Sequence, residues 1–169
     1  GSTYVPNGRV GHSAVWTGSL MIVWGGYVNT GGRYDPMIDT WTPTSTLDAP
    51  LPRYNHSAVW TGSLMIVWGG SPDSNPAGTG GKYDPVTDTW TPTSTLDAPS
   101  PRYNHTAVWT GSLMVVWGGF MNSAPFDSGG RYDPLTDTWT PTSTVDAPPP
   151  RYLNTAVWTG SRMVVWGGY

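Results

Sequence analysis

The sequence predicts an all-β protein assembled from copies of a single unit. Three observations carry this reading. The stretch HSAVWTGSLMIVWGG at 12–26 returns at 56–70, as HTAVWTGSLMVVWGG at 105–119, and again at 154–168, where Asn154 opens it. Trp16, Trp60, Trp109 and Trp158 recur at spacings of 44, 49 and 49 residues, a period at which one supersecondary unit repeats. Between the copies Gly, Pro, Ser and Thr dominate, the composition of short strands joined by turns.

Each copy reads as a hairpin. SAVW and LMIVW are short runs of β-branched and aromatic residues, which suit a pleated surface. Between them lies TGS, where Gly62 is free to take positive φ. The second strand is apolar on both faces: Leu64, Ile66 and Trp68 point one way, Met65 and Val67 the other. A strand of this kind is covered on both sides. A buried helix is the rival, but the run ends after about five residues at a double glycine, below usual helix length.

The rest of the unit follows in order. After a lead-in at 1–8, the first hairpin fills 9–26, and GRYD and DTWTPT then form two more strands around a turn at Pro36. Asp35 and Asp39 suit that turn because Asp side chains accept from nearby backbone amides. LDAPLPR is an extended connector, since its prolines do not suit an interior strand. The units are 9–52, 53–101 and 102–150, with a half unit at 151–169, within a single domain spanning 1–169 and carrying fourteen strands. The second and third units agree at 36 of 49 positions, which points to recent amplification or to design.

Composition narrows the function classes. With no cysteine there is no disulfide, thiolate metal site or thiol nucleophile. Net charge is −3, Glu is absent and Lys82 is the only lysine, so no nucleic-acid partner is expected. No apolar run approaches the roughly 20 residues that span a bilayer, so no membrane partner is expected either. Eleven Trp and nine Tyr supply the burial that a disordered chain lacks. Gly1-Ser2 without an initiating Met reads as a recombinant remnant.

These elements carry a family resemblance. The order Arg53, His56, Gly69, Gly70, Tyr83, Asp84, Pro85, Trp90, with its matches in the other units, is similar to the kelch repeat. The AVWTG and VWGG segments resemble tryptophan-rich kelch proteins secreted by bacteria, the origin and localisation this favours. The resemblance implies β-propeller blades: three complete four-stranded blades plus one two-stranded half blade, each with its first strand lining a central channel. It also implies that the loops between glycine pairs and the connectors surround one face that commonly binds partners. Kelch rings close with more blades than this chain carries.

Candidate chemistry sits at two places. His12, His56 and His105 share one repeat position, as do Arg9, Arg53, Arg102 and Arg151. The histidines could converge at the channel mouth on a metal, or each could orient its own strand start; Asn154 breaks the set. The arginines could form a positive ring for an anion, or pair with acids such as Asp48, Asp97 and Asp146. No metal, cofactor or catalytic residue is assigned. The acids Asp84 and Asp88 flank a turn that occurs three times, which fits capping better than a single catalytic pair. The unlike loops hold the binding candidates Tyr27, Asn29, Asp73, Asn75, Phe120, Met121, Asn122, Phe126 and Asp127. Phe120, Met121 and Phe126 read as exposed apolar anchors. The sequons at Asn55 and Asn104 fall at strand starts, which disfavours glycosylation.

The expected function is a non-catalytic binding or self-assembling scaffold with a protein or glycan ligand. The alternatives are a structural or designed fragment without ligand, and a sugar-acid-processing enzyme of kelch type. The copper oxidase chemistry of some kelch proteins is closed, because it uses a Tyr–Cys cross-link. A homo-oligomer is expected, a dimer that closes one ring. The edge of 163–166 is unpaired, and no preceding blade covers Val15, Trp16, Ile22 and Trp24.

Overall fold

The computed structural model describes residues 4–72 and 75–169. Asp73 and the Gly1-Ser2 pair lie outside the described residues. The first blade is β1 (His12–Trp16), β2 (Met21–Gly25), β3 (Gly31–Asp35) and β4 (Thr40–Pro43), antiparallel and adjacent in chain order. The second is β5 (Ser57–Trp60), β6 (Met65–Trp68), β7 (Gly80–Asp84) and β8 (Thr89–Pro92). In the third, β9 (Thr106–Trp109) and β10 (Met114–Trp117) are followed by a small ribbon, β11 (Phe120–Met121) with β12 (Ala124–Pro125). The blade then resumes with β13 (Gly129–Asp133) and β14 (Thr138–Pro141). The fourth unit is one hairpin, β15 (Thr155–Trp158) and β16 (Met163–Trp166). The described residues therefore hold sixteen strands rather than fourteen; the added pair is a loop folding back on itself.

The inner hairpins share one register, with Trp16 opposite Met21, Trp60 opposite Met65, Trp109 opposite Met114 and Trp158 opposite Met163. The TGS turn sets it. The Thr61 hydroxyl accepts the Leu64 N–H at 2.9 Å, and Gly62 takes φ 103°. A Cβ at Gly62 would meet nothing, so glycine is needed there for backbone conformation and not for space.

The innermost strands β1, β5, β9 and β15 stand side by side, and the blades pack face to face. Ile22 and Trp24 press on Met65, Val67, Tyr83 and Trp90. One blade on, Ile66 and Trp68 press on Met114, Val116, Tyr132 and Trp139. The ring centroids of Trp24–Trp90 and Trp68–Trp139 both lie 5.2 Å apart. Such aromatic pairs add about 0.5–1.5 kcal/mol beyond their buried area. The outer indoles also donate across the junction, Trp90 to the Ser45 carbonyl and Trp139 to the Ser94 carbonyl, both at 3.0 Å.

This packing corrects the reading of the first blade. Ile22 and Trp24 are fully buried and Val15 packs beside them, because strand alternation points them at the second blade. Of the four residues expected bare, only Trp16 stands out, at 53% exposure. At the other end, among the described residues, β16 pairs only with β15, and its Val164 and Trp166 are exposed, Trp166 at 81%.

The turn acids divide into two roles. Asp35, Asp84 and Asp133 cap their turns by accepting the N–H of Met37, Val86 and Leu135 at 2.8–2.9 Å. The second acid bridges blades instead. Asp88 accepts the Ser45 N–H at 2.9 Å and lies 3.8 Å from Arg33 of the preceding blade. Asp137 repeats this with the Ser94 N–H at 3.1 Å and Lys82 at 3.3 Å. Burial works to raise the Asp137 pKa, but the Tyr132 hydroxyl, the Ser94 N–H and Lys82 outweigh it and hold the carboxyl below its usual range.

Candidate functional site

The repeated Arg and His side chains lie where the glycine pair of each inner hairpin meets the next unit. Arg53 and Arg102 are buried at 1% exposure. Arg53 donates to the carbonyls of Gly69 at 2.9 Å and Thr79 at 2.8 Å, and Arg102 to those of Gly118 at 2.9 Å and Ser128 at 2.6 Å. Arg9 makes the same pair of bonds to Gly25 and Thr30, while Arg151, half-buried, reaches Gly167 at 3.1 Å. No described Asp48, Asp97 or Asp146 pairs with them. The acid partners expected from the sequence are replaced by backbone carbonyls, whose lone pairs a planar guanidinium fork can satisfy in twos. Burial lowers the pKa of both Arg53 and Arg102 to about 10. Each arginine therefore locks the loop of its own blade, and its charge is turned inward.

The histidines bridge blades rather than orient their own strands. Nε2 of His56 lies 2.7 Å from the Ser13 hydroxyl of the preceding blade, and Nε2 of His105 lies 2.8 Å from that of Ser57. Desolvation, with Arg53 and His12 adding to it, lowers the His56 pKa to about 3, and desolvation with Arg102 and His56 lowers His105 to about 3. Both rings are neutral at physiological pH. His12 is exposed. His12, His56, His105 and Asn154 share the wall of a recess of about 280 Å³ with Asn55 and Asn104. The described residues contain no group of three metal-binding side chains.

The loop candidates differ in availability. Tyr27, at φ 69°, stacks on Tyr54 with centroids 4.2 Å apart and keeps 60% of its surface exposed. Asn75, Asn122 and Asp127 are exposed, while Asn29 is half-buried and its carbonyl accepts the Trp24 indole N–H at 3.2 Å. The three apolar anchors are not exposed as expected. Phe120 sits between Tyr103 and Tyr152, at 5.9 and 4.6 Å. Phe126 lies under the Arg102 guanidinium at 4.1 Å, and Met121 is half-buried in β11. Phe120 spans two units and Phe126 covers the arginine of its own blade, placements that the hydrophobic effect favours over exposure.

Sequence reasoning overlooked Tyr54, Tyr103 and Tyr152, at the second position of the last three units. They build an aromatic band of two groups of touching rings, Tyr27 with Tyr54, and Tyr103 with Phe120, Tyr152 and Tyr169. The Arg-Tyr dipeptide that opens three units was the available signal. The opposite face carries a larger groove, about 620 Å³, between Thr17, Ser19 and Leu20 of one blade and Trp60, Asp84 and Pro85 of the next. It recurs at the following junction, so it follows from the repeated blade geometry.

Blades stacked through tryptophan-rich faces, innermost strands abreast and unlike loops on one rim define an all-β propeller-repeat protein. The family model described as the KLHDC2/KLHL20/DRC7 Kelch-repeats domain matches residues 2–168, and the chain belongs to this Kelch-repeat family. No curated protein matches the chain. Kelch-repeat domains are in general scaffolds for protein binding.

Proposed function

We propose that this chain is a non-catalytic scaffold whose loop face holds a protein partner, and that it self-associates as a homodimer closing one ring. The binding reading rests on one observation: the blade framework repeats almost without change, whereas the residues that differ gather in loops on one rim around an aromatic band. A rigid scaffold with variable loops is the usual arrangement for recognition. Tyr27 supplies a large, rigid contact surface with a polar tip, and the exposed Asn75, Asn122 and Asp127 supply hydrogen-bonding groups on the loops of the second and third blades. Self-association is supported by the bare faces at Trp16 and Trp166.

The test is selection of displayed peptides against the chain, with a glycan array in parallel. Selected peptides should lose binding to Tyr27→Ser, a change that places there the residue the second unit carries as Ser71. Glycan binding without peptide binding would replace the protein partner with a carbohydrate. Peptides indifferent to Tyr27→Ser and to Asn122→Ala would remove the loop face as the site.

A further inference from the structure

Each junction between consecutive blades carries the same two series of backbone bonds. Three backbone bonds step along the innermost strands, from Asn55 N–H to Gly11 O at 2.9 Å, Asn104 N–H to Asn55 O at 3.1 Å, and Leu153 N–H to Asn104 O at 2.9 Å. A second series joins Gly26 to the Arg53 carbonyl, Gly70 to that of Arg102 and Gly119 to that of Arg151, each at 2.9 Å. At the first two junctions the His–Ser bonds and the Trp stacks complete the set.

The two outer blades carry the two unfilled halves of this set. On the fourth unit they are the Leu153 carbonyl, the Gly168 N–H, the exposed Trp166 and the Thr155 hydroxyl, which donates to Trp166 O at 3.4 Å and keeps its lone pairs open. On the first unit they are the Gly11 N–H, the Arg9 carbonyl, the exposed His12 and the apolar recess formed by Trp16, Met21 and Tyr34. Trp166 occupies the repeat position of Trp24, Trp68 and Trp117, which are 0%, 0% and 5% exposed. A tryptophan so placed is the kind of anchor that dominates an interface.

We infer that the occupant of the first blade's open face is the fourth-unit hairpin of a second copy of this chain, seated as the internal blades seat on one another. The inference rests on the self-association reading and specifies its seam. Leu153 O of one copy accepts from Gly11 N–H of the next, Gly168 N–H donates to Arg9 O, and Thr155 meets His12 as Ser13 meets His56. Trp166 stacks on Trp41 and meets His12, as Trp24 stacks on Trp90 and meets His56, and Val164, at the repeat position of Ile22, enters the recess beside Trp16. The contact is head-to-tail, so its two surfaces are different and complementary.

The test uses the full chain and two blocked variants, Trp166→Asp at the tail and Trp16→Asp at the head, in sedimentation. Trp166 is largely exposed, so its replacement leaves the fold intact; Val164→Asp is a second tail block on the same open face. The parent chain should associate, and each tail variant should weaken association by about 100-fold. An equimolar mixture of Trp166→Asp and Trp16→Asp should recover a one-to-one pair, because one chain keeps its tail and the other its head. A monomeric parent would overturn both the self-association reading and the seam. A parent that associates while Trp166→Asp and Val164→Asp associate as tightly would overturn the seam alone. So would a mixture that fails to pair when both variants melt cooperatively.

Discussion

Nε2 of His56 lies 2.7 Å from the hydroxyl of Ser13, and the two belong to different blades. The same bond joins His105 to Ser57 at the next junction. The first two inter-blade junctions thus each include a buried neutral imidazole, which makes their stacking sensitive to acid, while Asn154 takes that position at the third.

The sign follows from the pKa values. Burial lowers both histidines to about 3, against about 6.5 for the unfolded chain. Between those values the unfolded state binds more protons, so stability is full above about pH 6.5 and falls as pH drops toward 3. Each histidine contributes a slope of about 1.4 kcal/mol per pH unit. Urea melts at pH 7.5 and 5 should show the loss, at a pH where Asp137, held below its usual range, is still ionised. His105→Asn, which copies Asn154, should reduce the slope. Equal midpoints at both pH values would contradict the neutral-histidine assignment.

Much of this architecture was legible in the sequence because the repeat fixes the strand period four times over. The strands of each inner hairpin and the buried Trp68 follow from alternation and glycine placement. Which face of the first blade is bare was not legible. It depends on the direction in which blades stack, and Ile22 and Trp24 look alike from either side. The partners of Arg53 and Arg102 were hidden for a different reason. Backbone carbonyls leave no trace in a sequence, so a nearby Asp draws attention instead. Phe120 and Phe126 were misjudged as exposed because loop residues carry no periodicity that tells filling from exposure.

Leu153 is a local conflict that repeat comparison exposes. It takes φ 56°, where the equivalent positions are Gly11, Asn55 and Asn104 at 65°, 55° and 54°. Leucine is disfavoured in that conformation and asparagine tolerates it. Leu153→Asn should raise stability by about 1 kcal/mol, read from the midpoint of a denaturant melt. An unchanged or lower midpoint would show that the leucine side chain offsets its own backbone strain.

Trp68 joins two blades and is fully buried against Trp139 and His105. Trp68→Ala should cost about 3–5 kcal/mol as a large truncation in a packed core. Trp166→Ala, at the same repeat position but exposed, should cost a folded monomer under 0.5 kcal/mol. Comparable losses in the two variants would mean that the exposed face is packed in solution even when the chain is dilute.

The claim that loops recognise while the framework only holds them is tested by one exchange. Residues 120–128 are replaced by the four-residue loop Tyr27–Thr30. Ser128 O accepts from Gly118 N–H and Arg102, as Thr30 O accepts from Gly25 N–H and Arg9, so the arginine lock survives. The bonds from Arg151 N–H to Phe126 O and from Phe126 N–H to Gly119 O are lost, at about 1 kcal/mol each, together with the ring contacts of Phe120 and Phe126. Binding of peptides selected on the parent chain, measured beside a urea melt, gives the answer. The account predicts a cooperative melt with binding lost; unchanged binding, or a chain that no longer folds, would contradict it.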